Sequence, residues 1–393
     1  MSDQLPLQPI PLFRGLAPMV AIVFLGFFAI ATPLAALSIQ LNEVLGYRPL
    51  IVGWVIGLQS LVTVLSRHRG GTFSDAHGPR RAVLIGLPLT AVAGVIYTLS
   101  GLHALTPPSS LALVLLGRIL TGFGESLFIT GCMAWGIARV GMPNTGKVMA
   151  WQGIALYGAI GVGAPAGLSL QEHFGFISVG AVATLAPFLA LAVAILARAN
   201  SARSGKPSSR VPFHKVFYLI RNHGIVLALA STPFAAMATF LALYFEHRHW
   251  PLAGTALACF TGGYLLIRFL FAHLPDRLGG IRVAGVSLVI ELAGQLLLFL
   301  APNPYLAIAG AILTGIGFSL IFPSMGVEAV RRVPVEQRGA AVGNFIAFFD
   351  IAIGLTGPIV GLLIDHIGYS APFSVGTVAV LLALFFLARL RTR

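Results

Sequence analysis

Long apolar runs of about twenty residues, separated by short polar clusters, recur along the whole of this 393-residue chain. A helix of about 20 residues crosses roughly 30 Å of hydrocarbon, so each run is long enough to span a bilayer. The pattern predicts twelve spans, at 17–41, 50–68, 82–102, 110–134, 147–170, 177–198, 223–244, 252–272, 282–301, 304–327, 340–363 and 371–389. The runs are continuous rather than alternating, which argues against a β-barrel. Inside lipid the backbone must satisfy itself, so the spans are expected as helices.

Composition supports the same reading. Apolar residues make up 57% of the chain and charged ones 9%, against about 25% charged in soluble domains. Mean hydropathy is +0.91. A soluble fold could not hide so much apolar surface. The first run follows a segment with no basic start and no clear cleavage site, so it reads as a retained helix.

The charges that remain lie almost entirely between spans. If the N-terminus is cytoplasmic, the inner segments hold 21 of the 25 Lys and Arg residues, and the outer loops hold only Arg48 and Arg248. The positive-inside rule then places both termini in the cytoplasm of a multi-pass plasma-membrane protein, the inner membrane in a bacterium. The net charge of +13 suits anionic lipid headgroups. Nucleic-acid binding is not expected, because no basic soluble module is present. Residues 199–222 are rich in Ser, Pro, Gly and basic side chains and read as a cytoplasmic linker. It divides the chain into 1–198 and 223–393.

The two parts repeat one another. Residues 119–127 read ILTGFGESL and residues 312–320 read ILTGIGFSL, an offset of 193. The same offset carries Gly161 onto Gly354 and Pro165 onto Pro358. Earlier in each half the offset is 201, pairing Gly53 with Gly254, Arg67 with Arg268, Asp75 with Asp276 and Gly78 with Gly279. Halves repeated in the same sense are related by an axis along the membrane normal. Such halves enclose a central cleft that can open to either side in turn.

Between spans 2 and 3, Gly71, Asp75, Gly78 and Arg80 match a loop signature of the major facilitator superfamily, and Asp276, Arg277 and Gly279 repeat it in the second half. The whole chain resembles that family, most closely its sugar-efflux and drug-efflux branches. The resemblance implies an all-α fold of twelve helices in two pseudo-symmetric six-helix halves. It also implies that Asp75 and Asp276 form a cytoplasmic latch, through helix caps or ion pairs across the halves. Gly161 and Pro165 on span 5 and Gly354, Gly357 and Pro358 on span 11 resemble the family's antiporter signature; packing alone is the competing explanation.

Ionisable groups inside a span are functional candidates. Arg118 and Glu125 lie seven residues apart on span 4, hence on one face. Arg118 opens R-x-x-x-G-x-G, which resembles a family signature linked with proton coupling. Their repeat partners are Ala311 and Phe318, so the charges are not part of the duplicated scaffold. A structural buried ion pair or a helix-to-helix tie is the alternative. Asp350 on span 11 and Glu125 are the leading proton carriers, since a carboxyl away from bulk water can carry a proton near neutral pH. Glu291 on span 9 is a weaker candidate and can lodge against Gln295. Gln59, Gln152, Tyr157, Thr232 and Asn344, with Phe234, Phe240 and Phe345, are candidates for the substrate cavity.

Other signals fail. Gly141 to Val148 nearly matches a phosphate-binding loop but lacks the final Ser or Thr and follows no strand. Cys132 and Cys259 read as buried thiols, and no metal spacing exists. No nucleophile–base pair is visible, so an enzyme is not expected. The expectation is a monomeric secondary transporter with no cofactor, driven by the proton gradient, that exports a small organic molecule by H⁺ antiport. An uptake symporter for a sugar or organic acid is the first rival, and a non-transporting receptor or scaffold the second.

Overall fold

The computed structural model describes residues 12–102, 104–141, 144–197, 213–333 and 338–391. Every predicted span folds as a helix. In chain order these are α1 (Leu12–Ile39), ending in a π-helical turn at Gln40–Val44, α2 (Pro49–His77), α3 (Pro79–Ser100), α4 (Pro107–Val140), α5 (Thr145–Phe174), α6 (Phe176–Leu196), α7 (Phe213–His247), α8 (Ala253–Phe271), the short α9 (Leu274–Leu278), α10 (Gly280–Leu300), α11 (Pro304–Ser319), α12 (Ile321–Arg331), α13 (Arg338–Ile367) and α14 (Ala371–Arg391). Twelve segments are long and apolar enough to cross a membrane, with α11 and α12 sharing the tenth.

Proline opens α2, α3, α4 and α11, where its missing N–H has no intrahelical partner to lose. Gly78 and Gly279 stop the chain at repeat-related positions, with φ of 94° and 86°, a region open to glycine at little cost. Large apolar side chains such as Leu65, Leu185, Leu196 and Phe269 point outward and are more than half exposed. A soluble surface would not carry so many; here they meet lipid.

The repeat is visible in the packing. In the first half α3 lies against α4 and α6, and α1 against α5; in the second α10 lies against α11 and α14, and α7 against α13. Gly122 backs onto the Gln59 carbonyl as Gly315 backs onto that of Phe260, and Gly53 meets Pro358 as Gly254 meets Pro165. Both sequence offsets therefore correspond to equivalent places in the bundle.

The helices differ from expectation mainly at their polar ends. α2 continues through 69–77, α4 reaches Val140, and α7 begins at Phe213. Part of the expected linker 199–222 is thus helix, and 199–212 lie outside the described residues. The tenth span breaks at Leu320 rather than running straight. Pro323 has no N–H for the Ser319 carbonyl, and Arg268 Nη1 donates to that carbonyl instead, at 3.1 Å.

The halves meet along two seams, α2 with α13 and α5 with α8, helped by α1 with α7. The seams close one end of the bundle, the end carrying the α1–α2, α5–α6, α7–α8 and α13–α14 connections. There Gly53 and Gly357 bring main chain against main chain, as do Gly57 with Gly354 and Gly361 with Pro49. Ser38 Oγ donates to the Thr239 carbonyl at 2.6 Å, Tyr369 donates to Asn42 at 3.2 Å, and Arg48 pairs with Asp365 at 2.9 Å. Beyond this sealed end lies a cavity between the halves.

Candidate functional site

The cavity encloses about 200 Å³ and is walled by α1, α2, α4, α5, α7, α8, α12 and α13. Most of its wall is apolar, so its few polar groups stand out. They form two arms related by the repeat.

The first arm is polar. Gln59 Nε2 donates to Glu125 at 2.8 Å and Thr63 Oγ1 donates to the same carboxylate at 3.2 Å. Arg67, one turn below Thr63 on α2, forms an ion pair with Asp350 on α13 of the other half. The charges of Glu125, Asp350 and Arg67 act on one another. Asp350 is 5% exposed, so its charge is tolerable only with such a partner. This pair ties the two halves together at the cavity.

The second arm is aromatic. Adding 201 to Gln59, Thr63 and Arg67 gives Phe260, Tyr264 and Arg268. Adding 193 to Glu125 gives Phe318, and subtracting 193 from Asp350 gives Tyr157. These residues also cluster. Tyr157 and Tyr264 stack at 3.9 Å between ring centroids, and Phe234 stacks on Phe260 at 5.6 Å and on Phe318 at 5.9 Å. Arg268 lies beside both tyrosines, close enough to act on them electrostatically. Where Arg67 faces a carboxylate, Arg268 faces phenols.

Arg118 and Glu125 both line the cavity but do not pair. Arg118 Nε and Nη2 donate to the carbonyls of Val55 and Ile56 at 3.2 and 2.6 Å, and Nη1 is buried without a partner. The α4 arginine therefore ties α4 to α2, and Glu125 finds its partners on α2 as well.

Gln59, Gln152, Tyr157 and Phe234 line the cavity as expected. Four other cavity candidates do not. Thr232 faces an apolar groove between α7, α13 and α14. Phe240 is buried in the seam near the sealed end, and Phe345 packs on Phe322. Asn344 is buried and absent from the cavity wall. Glu291 is also elsewhere. It sits between α10 and α11 against Gly317, fully buried with neither carboxyl oxygen partnered, at the place where the first half has Thr90 against Gly124. Gln295 does not hold it; that amide donates to Thr314 at 3.1 Å.

The expected latch is not engaged. Asp75 and Asp276 are exposed and form neither an ion pair nor a helix cap among the described residues. Gly71 has open space around it, and Arg277 is exposed. Arg80 closes the end of α6 within its own half, donating to the Ile195 carbonyl at 3.0 Å. In the second half Glu328 takes over as cap, accepting from Gly280 N at 3.1 Å. Gly161, Pro165, Gly354, Gly357 and Pro358 all lie in the seams: Gly161 against Thr261, Pro165 against Gly254, and the last three against α2. Cys132 is buried, whereas Cys259 is only half-buried, and both are free thiols.

Sequence reasoning missed Arg67, Tyr264 and Arg268 as cavity residues and Thr63 as a partner of Glu125. The pairing of Arg67 with Arg268 across the repeat was the available signal.

Twelve membrane helices among the described residues, in two repeated halves with a cavity between them, define a membrane transporter. The model of the Major Facilitator Superfamily matches residues 19–259 and 251–393, and the chain belongs to that family. An uncharacterized MFS-type transporter of Pseudomonas aeruginosa (strain LESB58) is 42% identical over 371 residues, covering 93% of this chain and 92% of that protein. One of Salmonella typhimurium (strain LT2) is 39% identical over 373 residues, covering 95% and 94%. Among solved structures, the nucleoside transporter NupG superposes with a TM-score of 0.72 at 14% identity, covering 96% of this chain and 98% of that one. The E. coli fucose:proton symporter FucP superposes at 0.65 with 13% identity and the same coverage, 96% and 98%. Identity at that level reports the shared fold.

Proposed function

We propose that this transporter is proton-coupled and exports a small organic molecule by H⁺ antiport. The observation that carries the reading is the tie between Arg67 and Asp350, which joins the two halves within a cavity that Glu125 shares. A proton arriving at this cluster neutralises a carboxylate and weakens the attraction for Arg67. The halves are then freer to rock, and a population shift of this kind is what coupling requires. Cavity contents and proton occupancy thereby act on one equilibrium. No cofactor is needed, and a single chain is the transport unit.

Loop charge supports a membrane orientation with both termini in the cytoplasm of the cell carrying the protein. In that orientation the sealed end faces outward, and the described conformation is closed to the outside. The open space around Gly71 and the unpaired Asp75 and Asp276 agree with a disengaged cytoplasmic latch.

Purified chain in proteoliposomes with a trapped pH dye tests the coupling. An antiporter moves protons opposite to its cargo, so adding cargo on one side draws protons towards that side. Glu125→Gln and Asp350→Asn should each reduce the coupled proton movement by at least about tenfold. Cargo and protons moving together would make the protein a symporter. Unchanged proton movement in both variants would remove these carboxylates from the mechanism.

A further inference from the structure

The two cavity arms occupy equivalent positions, yet only one holds carboxylates. Arg67 has Asp350, while its counterpart Arg268 has Tyr157. Arg268 is 8% exposed and forms no ion pair among the described residues. Its one hydrogen bond among the described residues runs from Nη1 to the Ser319 carbonyl, and the residue lines the cavity. A buried guanidinium satisfied only by a carbonyl dipole is costly. A bound anion would complete it, and the planar fork suits a carboxylate.

The surroundings are shaped to receive one. Gly153 stands opposite Arg268, and a methyl group built there would approach nothing nearer than Nη2, at 3.6 Å. Gln152, one residue away, is 4% exposed, and both of its amide atoms lack partners although it lines the cavity. Tyr157, Tyr264 and Phe234 line the adjoining wall, with Tyr157 stacked on Tyr264 and edge-on to Phe234. Aromatic faces of this kind hold planar apolar groups.

We infer that the cargo is a small organic carboxylate with an aromatic or otherwise flat apolar body, its carboxylate on Arg268 and its body against the Tyr157–Tyr264 stack. This deepens the transporter reading of the same cavity by assigning the polar arm to protons and the aromatic arm to cargo. A cavity of about 200 Å³ lies below the roughly 300–1,000 Å³ of drug-sized sites, which favours molecules of one or two rings.

The test is equilibrium binding to the purified full-length chain by titration calorimetry, with no proton gradient present. Benzoate, 1-naphthoate and indole-3-acetate are each compared with their own primary amides. At least one acid should bind about tenfold or more tightly than its amide, as a charge-assisted pair gives. Arg268→Gln should bring acid and amide within about threefold of each other, and Arg268→Lys should fall between, keeping charge without the fork. Should Arg268→Gln fail to fold, Gly153→Leu fills the space before Nη2 and should abolish acid binding with thermal unfolding unchanged. The inference is overturned if none of the three acids binds, if acid and amide bind equally, or if the folded variant retains the parent's preference. Binding is read without protons moving, so this result is separate from the sign of proton coupling.

Discussion

Gly53→Ala should shift the protein away from the conformation closed at the sealed end. The added methyl would lie 2.9 Å from Pro358 N and closer still to the Gly357 carbonyl. Both are main-chain atoms and cannot rotate away. Overpacking of this kind costs roughly 1–3 kcal/mol, and about 1.4 kcal/mol is a factor of ten. The sealed population should therefore fall by about 5- to 150-fold relative to the open one. Alanine also strengthens a helix over glycine by about 1 kcal/mol, but it does so in both conformations and leaves their ratio alone. The assay is continuous-wave dipolar broadening, which reads short separations, between spin labels at Arg48→Cys and Asp365→Cys, in a chain carrying Cys132→Ala and Cys259→Ala. These two sites bracket the seam, and the Arg48–Asp365 pair lost by labelling is exposed on the arginine side and worth little. The parent should show a dominant short distance and Gly53→Ala a dominant longer one. Gly262→Ala, which meets nothing within 4 Å, should match the parent. A folded Gly53→Ala protein with the parent's distance distribution would refute the idea that this main-chain contact sets the closed state.

Three smaller perturbations test other parts of the structure. Glu328→Ala removes the acceptor for Gly280 N and should lower stability by about 1 kcal/mol, seen as a fall of a few degrees in thermal unfolding. Arg118→Met leaves the packing length but removes two charged hydrogen bonds to α2, and at roughly 1.5–3 kcal/mol for each it should cost about 3–6 kcal/mol in the same measurement. Pro323→Ala returns a donor to the Ser319 carbonyl; hydrogen exchange at residues 321–324 should slow as α11 and α12 join.

The spans were legible because a membrane helix must be apolar over its full crossing, and that constraint fixes composition whatever the neighbours. Helix continuation into water carries no such mark, which is why 69–77 of α2 and the start of α7 at Phe213 were not read as helix. The break at Leu320 was encoded by Pro323, but a proline in a membrane helix does not reveal whether it bends or breaks it; the outcome depended on Arg268 taking the freed carbonyl. The polar arm was half legible. Glu125 and Asp350 stood out as charges in apolar runs, whereas Arg67, at the last turn of span 2, counts among the inner charges that set orientation. Arg118 and Glu125 share a face, as their spacing requires, but spacing says nothing of the α2 carbonyls that claim the arginine. Phe240 and Phe345 show the same limit, since an aromatic on a cavity helix points equally well into a seam, as Phe240 does, or onto a neighbour in its own half, as Phe345 does. Glu291 was visible as an intramembrane carboxyl, but its isolation could be seen only once α11 was packed against α10.

The seam between α2 and α13 has a further consequence. Where side chains interlock, every substitution retunes the fit; where carbonyl oxygens and α-carbons touch, the dimension of the contact is fixed by the peptide unit itself. The closing stroke of the two halves therefore ends against a stop that drift elsewhere in the chain leaves unaltered, provided its glycines stay. A lineage built on such a stop can rewrite the walls of its chamber for new cargo without recalibrating how far the gate shuts.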